Sequence, residues 1–493
     1  MNNLVRFTVS FSLCFLLSGS GAWAQRVLTL EESIEIALDQ SFEAKIAAAQ
    51  LKSSEAAAEA ARRSLYSTVD LSFDVPDYQR SLAAEFNPVT GRTEFYPLEN
   101  LSWSGRLDID QPLIWTNSTL TLSSSLYRED QSGESLEGGF FRQFFTNFSV
   151  IFRQPLFVPN TLGIALERAK IDYEEALAEY KRATLDLIYT VTERFYRLYS
   201  SQQTLAIQAE RVRQQDAAYT TAQRKYNSGL IAEVDAMQFE VDLAAAKNDL
   251  LSSQNAVLSQ ANGFKLLLGL PLSSEIELVL EDTTFTTFAI DTEQAIGEAK
   301  RTRVDLQRAR NNITRNKLTL EEVEAQRSIR GDLTLSYGFS NNEEAFERLY
   351  VDVRDTRGAM FTVSVPVFDW GKHAQEVQGA KARLQSAELS AQRTELVIEQ
   401  EITDLVRRIE SAEQRVEVLF RSQIVAQKAF EINTKRFESG TIGSLELAQS
   451  QARLLQAKLS ALEALIDYNV AVADLTRKTA YDFKNDAPIE VRR

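Results

Sequence analysis

Lys225-Tyr226-Asn227-Ser228-Gly229-Leu230-Ile231 returns 211 residues later as Arg436-Phe437-Glu438-Ser439-Gly440-Thr441-Ile442. The same offset carries Pro155-Leu156-Phe157 onto Pro366-Val367-Phe368, Ala169-Lys170 onto Ala380-Lys381, and Ala246-Lys247 onto Ala457-Lys458. One unchanged offset over so long a stretch marks an internal duplication, so the fold is read as two copies of one unit. Upstream the offset grows: Leu71-Ser72-Phe73 resembles Leu335-Ser336-Tyr337 at 264, and Glu31, Ile34 and Ala37 resemble Glu293, Ile296 and Ala299 at 262. The first copy therefore holds about 53 additional residues between Phe73 and Pro155. The copies are expected at 25–272 and 286–482, joined by a Ser/Thr-rich linker at 273–285 and followed by a tail at 483–493.

The quoted stretches sit at the ends of very long helical patterns. From about Leu162 to Asn227 and from His373 to Glu438 there is no proline. At 1.5 Å per residue, ~65 residues make a rod of about 100 Å, too long to be the interior of one compact domain. Gly229 and Gly440 end the rods where the chain needs a left-handed residue, with Leu230 and Thr441 next in each turn. Helices then return over roughly 233–268 and 444–479. Ile398, Ile402, Leu405, Ile409, Ala412, Val416 and Leu419 step by 4 and 3, as do Leu455, Leu459, Leu462 and Ile466. A strict 3.5 period predicts helices supercoiled against neighbours, so each copy ends in a coiled-coil hairpin whose tip is the glycine turn.

Ahead of the rods, residues near 29–65 and 292–328 are rich in helix formers and read as helices. Alternating stretches follow. Leu333, Leu335, Tyr337 and Phe339 share one face of an extended chain, as do Phe361, Val363 and Val365, Leu120, Leu122, Ser124 and Leu126, and Phe148, Val150 and Phe152. Phe144, Phe145, Phe148 and Phe152 suit lipid-facing aromatics, although ordinary strand packing selects the same residues. The count of strands is four to six. The additional residues, with alternation at Leu107 and Ile109 and again at Leu120, Leu122 and Leu126, either add a hairpin, which we expect, or form a long extracellular loop.

A bilayer admits only helices or closed barrels, because an open sheet edge leaves backbone groups unsatisfied in lipid. Membrane barrels start at about eight strands, so several copies must share one. Arg6, the apolar run Phe7–Leu17 and the small residues ending Ala22-Trp23-Ala24 read as a secretory leader over 1–24. Cys14 is the only cysteine, and Leu13 stands where a lipid-anchored leader needs a small residue, so the processed chain is expected to carry neither thiol nor lipid. A net charge of −15 argues against nucleic acid as a partner. His373 is the only histidine, and no metal cluster, phosphate loop or nucleophile motif is present, which argues against an enzyme and implies no cofactor.

The chain resembles the TolC-like outer-membrane efflux proteins. The resemblance rests on Leu266-Leu267-Leu268-Gly269-Leu270-Pro271, on Pro366-Val367-Phe368-Asp369-Trp370-Gly371-Lys372, and on the two Ser-Gly hairpin turns in a duplicated chain. Trp370 stands where the family usually has a second glycine. The resemblance implies a mainly α fold with β strands. In it, a homotrimer forms a twelve-strand outer-membrane β-barrel continued by a periplasmic α-helical tunnel. It implies an export channel of a tripartite efflux or type I secretion system, working with a periplasmic adaptor protein and an inner-membrane transporter. It places the pore constriction just after the second glycine turn, at Glu446 and Gln449, where the family commonly has two carboxylates. It also implies a tie between a tyrosine before the second turn and a carboxylate after the first. The matching residues here are Phe437 and Asp235, and Phe437 has no hydroxyl, so a different closing network is expected. The alternative, a periplasmic coiled-coil adaptor or structural protein, leaves the duplication and the Phe-rich strands without a purpose.

Overall fold

The computed structural model describes residues 26–87, 89–133, 139–279, 288–326 and 329–489; the expected leader at 1–24 lies outside them, as do parts of the linker and tail. The first copy comprises β1 (Arg26–Leu28), α1 (Leu30–Gln40), α2 (Phe42–Arg63), β2 (Thr68–Asn87), β3 (Arg92–Leu113), β4 (Ser118–Gly133), β5 (Phe140–Leu156), α3 (Thr161–Asn227) and α4 (Glu233–Leu268). A short strand β6 (Ile276–Leu278) pairs in parallel with β1. The second copy comprises α5 (Thr292–Thr302), α6 (Val304–Ala325), β7 (Arg330–Glu343), β8 (Arg354–Ser364), α7 (Lys372–Glu438) and α8 (Ser444–Thr479).

Six strands form one antiparallel sheet in the order β2-β3-β4-β5-β7-β8. Its register sorts side chains into two unlike faces. One row across the sheet reads Val69, Ile109, Leu122, Val150 and Tyr337, and ends on β8 at Arg357. The adjacent row, pointing the other way, reads Asp70, Asp108, Ser123, Ser149, Gly338 and Thr356. Hydroxyls satisfy the carboxylates on that polar face: Thr121 donates to Asp110 at 2.5 Å and Ser104 to Asp74 at 2.6 Å. Among the described residues no helix is long and apolar enough to cross a membrane.

α3 and α7 are each 67 residues long, rods of about 100 Å. Their cores repeat the sequence offset: Leu187, Val191, Phe195 and Leu198 of α3 are buried where Ile398, Ile402, Val406 and Ile409 of α7 are. α2 and α4 pack along α3, and α6 and α8 along α7. The end of α4 abuts the α1–α2 break closely: Gly269 is left-handed at φ +73°, and a Cβ there would lie 2.5 Å from the Gln40 carbonyl oxygen. Ion pairs tie the two copies midway along the rods. Arg477 of α8 reaches Asp186 of α3 at 2.8 Å and Arg182 of α3 reaches Asp305 of α6 at 3.7 Å, while within the second copy Glu401 of α7 takes Lys478 at 2.7 Å and Arg303 at 2.9 Å.

Four sequence readings change. The helix expected at 29–65 breaks at Ser41, which is buried and extended (ψ 151°) and caps α2 by accepting from Ala44 N–H at 3.1 Å. The helix expected at 292–328 breaks at Arg303, also extended (ψ 122°), its guanidinium held by Glu401 and by Asp305 at 2.8 Å. α8 buries Leu447, Leu454, Ala461, Ala464, Tyr468 and Leu475, whereas Leu455, Leu459, Leu462 and Ile466 stay partly exposed. The small Ala461 and Ala464 let the helices approach, so the seam follows them and not the leucines beside them. Phe145 faces opposite to Phe144, Phe148 and Phe152, because side chains alternate along β5, and its neighbours there are Tyr127 and Asn342. The additional residues of the first copy form β3 and β4, so the hairpin reading holds over the loop reading.

Candidate functional site at the hairpin tips

Both rods end in the same hydrogen-bonded turn. Leu230 N–H donates to Lys225 O and Gly229 N–H to Tyr226 O, at 2.9 and 2.8 Å. Thr441 N–H donates to Arg436 O and Gly440 N–H to Phe437 O, at 2.9 and 3.0 Å. Gly229 (φ 71°) and Gly440 (φ 78°) are left-handed, so each glycine closes a Schellman cap that satisfies the last carbonyls of its rod. Thr441 adds a side-chain bond, its hydroxyl donating to Arg436 O at 2.9 Å. Leu230, in the equivalent place, is exposed.

The two tips are joined by an apolar cluster. Ala222 and Phe239 of the first hairpin bury against Phe437, Ile442 and Leu447 of the second. Phe437 and Phe239 meet with ring centroids 5.4 Å apart. Lys225 sets its ammonium 4.3 Å from the centre of the Phe437 ring and donates to the Phe437 carbonyl. Across the same gap Ser444 donates to Asp235 at 3.2 Å. The carboxylate after the first turn is thus bonded, by a serine hydroxyl in place of the tyrosine that the resemblance implied.

Glu446 and Gln449 project from the first turns of α8 and are exposed. They line a groove between α7 and α8 together with Arg436, Asn433 and Arg453. Glu446 is the repeat equivalent of Asp235 at the offset of 211. Both gain from the partial positive charge of a helix start. Sequence reasoning missed Lys225, Phe239 and Ser444. Lys225 and Phe437 lie within the quoted repeat, yet their contact depends on how two hairpins approach, which no local pattern encodes. His373 lies in the first turn of α7, its backbone N–H donating to the Asp369 carboxylate at 2.8 Å.

The order of elements, the two-faced sheet and the paired rods can be set beside known proteins. The family model described as outer membrane efflux protein matches residues 115–270 and 295–480. Among solved structures, the outer-membrane channel OprN is 16% identical with a TM-score of 0.67, covering 91% of this chain and 89% of that one. The outer membrane channel CmeC of Campylobacter jejuni is 14% identical with a TM-score of 0.68, covering 100% and 96%. The outer membrane protein VceC of Vibrio cholerae is 17% identical with a TM-score of 0.64, covering 94% and 97%. These likenesses concern the fold. No curated protein shows a significant match in sequence. The family match spans both copies of the repeat and more than half of the chain, and the chain belongs to the outer membrane efflux protein family.

Proposed function

We propose that three copies of this export channel protein assemble into one pore, a passive conduit that takes its cargo from a periplasmic adaptor and an inner-membrane transporter. The observation that carries the reading is the sheet: six strands with one apolar and one polar face, open at β2 and β8. One copy leaves both edges unpaired, and lipid does not tolerate an open edge. With an even number of strands β2 and β8 run in opposite directions, so β8 of one copy can pair antiparallel with β2 of the next. The barrel lies in the outer membrane and the rods reach into the periplasm. Both copies of the repeat, 25–272 and 286–482, contribute strands and one hairpin each.

At the far end, Gly229, Leu230, Gly440 and Thr441 form the tip that meets the adaptor. Glu446 and Gln449 face the axis as the constriction, and Asp235 helps to hold the hairpins together. The chain carries out no catalytic step and needs no cofactor in this role. Purified protein added to one side of a planar bilayer is expected to give discrete, uniform conductance steps. Irregular leakage or no conductance would contradict the reading.

A further inference from the structure

The apolar face of the sheet ends, away from the rods, in a charged cluster. Along β4 this face presents Leu120, Leu122 and Leu126, beside Phe152, Val150 and Thr146 of β5. Side chains two apart on a strand share a face, so it continues into Arg128 and Asp130, level with Phe144 and Arg142 of β5. Asp130 is buried and holds both guanidiniums. Arg128 donates to it through Nε at 3.1 Å and Nη2 at 2.5 Å, and Arg142 through Nε at 2.9 Å and Nη2 at 3.2 Å. Both arginines stay partly exposed, and each lies near a ring: Arg128 is 5.9 Å from the centre of Phe144, Arg142 5.3 Å from that of Phe140. Two cations share one anion, so the triad keeps a net positive charge. Nearby on the same face, Glu99 is answered by Arg80 at 3.6 Å, and Glu343 of β7 lies level with Phe144, on the far side of β5 from Arg128.

We propose, resting on the barrel reading above, that Arg128 and Arg142 bind a phosphate of the outer-leaflet glycolipid, the lipid A of lipopolysaccharide, on the outside of the barrel, with Asp130 as their positioning residue. Depth is the first argument. Ser118 opens β4 at the rod end, and Arg128 stands ten residues on. At a tilt of about 40° ten strand residues rise about 25 Å, the height of the apolar band of an outer-membrane barrel. The triad therefore lies at the outer edge of that band, the level of the lipid phosphates. Chemistry is the second argument. A guanidinium fork matches phosphate oxygens, which a point-like ammonium does not. Asp130 engages Nε and Nη2 of each arginine and sets the two forks side by side, leaving the Nη1 of both outside that contact for one anion to span. A surplus cation facing lipid is costly unless an anion meets it at the same depth. Below the triad the face is apolar again, with Trp103 level with Arg128 and then Leu126, Leu122 and Phe148, where the acyl chains of the same lipid lie.

The test is native mass spectrometry of the whole protein in detergent, with added lipid A that carries both phosphates or has been stripped of them. The wild type is expected to retain the phosphorylated lipid, one per chain, about tenfold or more over the stripped lipid. Arg128→Gln, Asp130→Asn and Arg142→Gln together make the triad neutral without leaving a lone carboxylate, and should lose that preference. Arg80→Gln changes a charge on the same face away from the triad and should keep it. Equal retention of the two lipids by the wild type, or an unchanged preference in the triple variant, overturns the proposal. So does displacement of the lipid by an equal concentration of inorganic phosphate, which would mark a site for the free anion. Should the triple variant fail to assemble, Arg128→Lys with Arg142→Lys keeps both charges and decides in its place: a weakened preference is expected, and wild-type preference overturns the paired forks. The mass of the same sample separates the two levels. A trimer that retains both lipids equally sinks the lipid site alone, whereas a monomer sinks the shared barrel as well.

Discussion

Ser444 at the start of α8 donates its hydroxyl to Asp235 in the first turn of α4 across 3.2 Å, joining residues 209 apart in the chain. Asp235 and Glu446 occupy equivalent places in the two copies of the repeat. Duplication supplied two carboxylates at two helix starts, and the fold uses them differently: Asp235 accepts a bond from the other hairpin, while Glu446 stays exposed.

That difference sets the first expectation. In the proposed trimer three copies of Glu446 meet near one axis, each carboxylate in the field of two others, and such a ring should attract cations even when wet. Glu446→Gln removes the charge and nearly keeps the shape, so cation over anion selectivity in planar bilayers should fall. Gln449→Ala removes no charge and should change selectivity less. Unchanged selectivity in Glu446→Gln would mean that the carboxylate serves only the helix start.

The apolar cluster at the tips should hold the pore narrow. Phe437 is buried against Phe239 and beneath the Lys225 ammonium, and truncation to alanine at such a site costs about 3–5 kcal/mol. Phe437→Ala should raise single-channel conductance and lower the melting temperature. Lys225→Met, which keeps most of the volume, should do both more weakly. Wild-type conductance in Phe437→Ala would show that the tips are held by contacts other than this cluster.

Two glycines of the first hairpin should respond oppositely to alanine. Gly269 has φ +73° and stands against the Gln40 carbonyl, so Gly269→Ala strains the backbone by about 1–2 kcal/mol and forces the α1–α2 break away. Gly263 lies inside α4 with open space at its Cβ, where alanine favours the helix by up to about 1 kcal/mol. Thermal melting of the two variants should move in opposite directions. Equal shifts would remove the close approach at Gly269 as the reason for the Leu-Gly-Leu-Pro stretch.

Acid should loosen the ion pairs midway along the rods. Burial of Glu401 opposes its ionisation, but Lys478 and Arg303 outweigh it and hold the carboxyl below its ordinary 4.5. A carboxyl lowered in the folded chain stabilises it fully above that ordinary value, and the contribution is lost as pH falls through the folded-state value. Melting followed from about pH 6 to about pH 3 should therefore decline more steeply in the wild type than in Glu401→Gln. Parallel curves would mean that Glu401 does not couple to folding.

How much could be read beforehand divides along physical lines. The duplication, the glycine caps and the buried stripe of α7 were legible because each is a local pattern with a fixed period or a required backbone geometry. The breaks at Ser41 and Arg303 were not, since neither residue is a helix breaker: Ser41 is buried and caps α2 through the nearby Ala44 N–H, and Arg303 is held by Glu401 of another helix. On α8 the stripe was misplaced by one position, because close approach selects alanine where a reading by hydrophobicity selects leucine. For the additional residues the sequence favoured a hairpin without excluding a loop. Alternation at Leu107 and Ile109 fits either until register sets Ile109 level with Leu122 and Val150, and Leu107 level with Ser124 and Phe148. At the tip the glycine turns were legible, whereas Lys225, Phe239 and Ser444 meet their partners only across two hairpins.

Shared closure of the barrel is what the open edges β2 and β8 require, and the mass of the protein extracted from outer membranes in detergent tests it. A single species of three chains is expected. A monodisperse monomer that still forms uniform pores in a bilayer would contradict it.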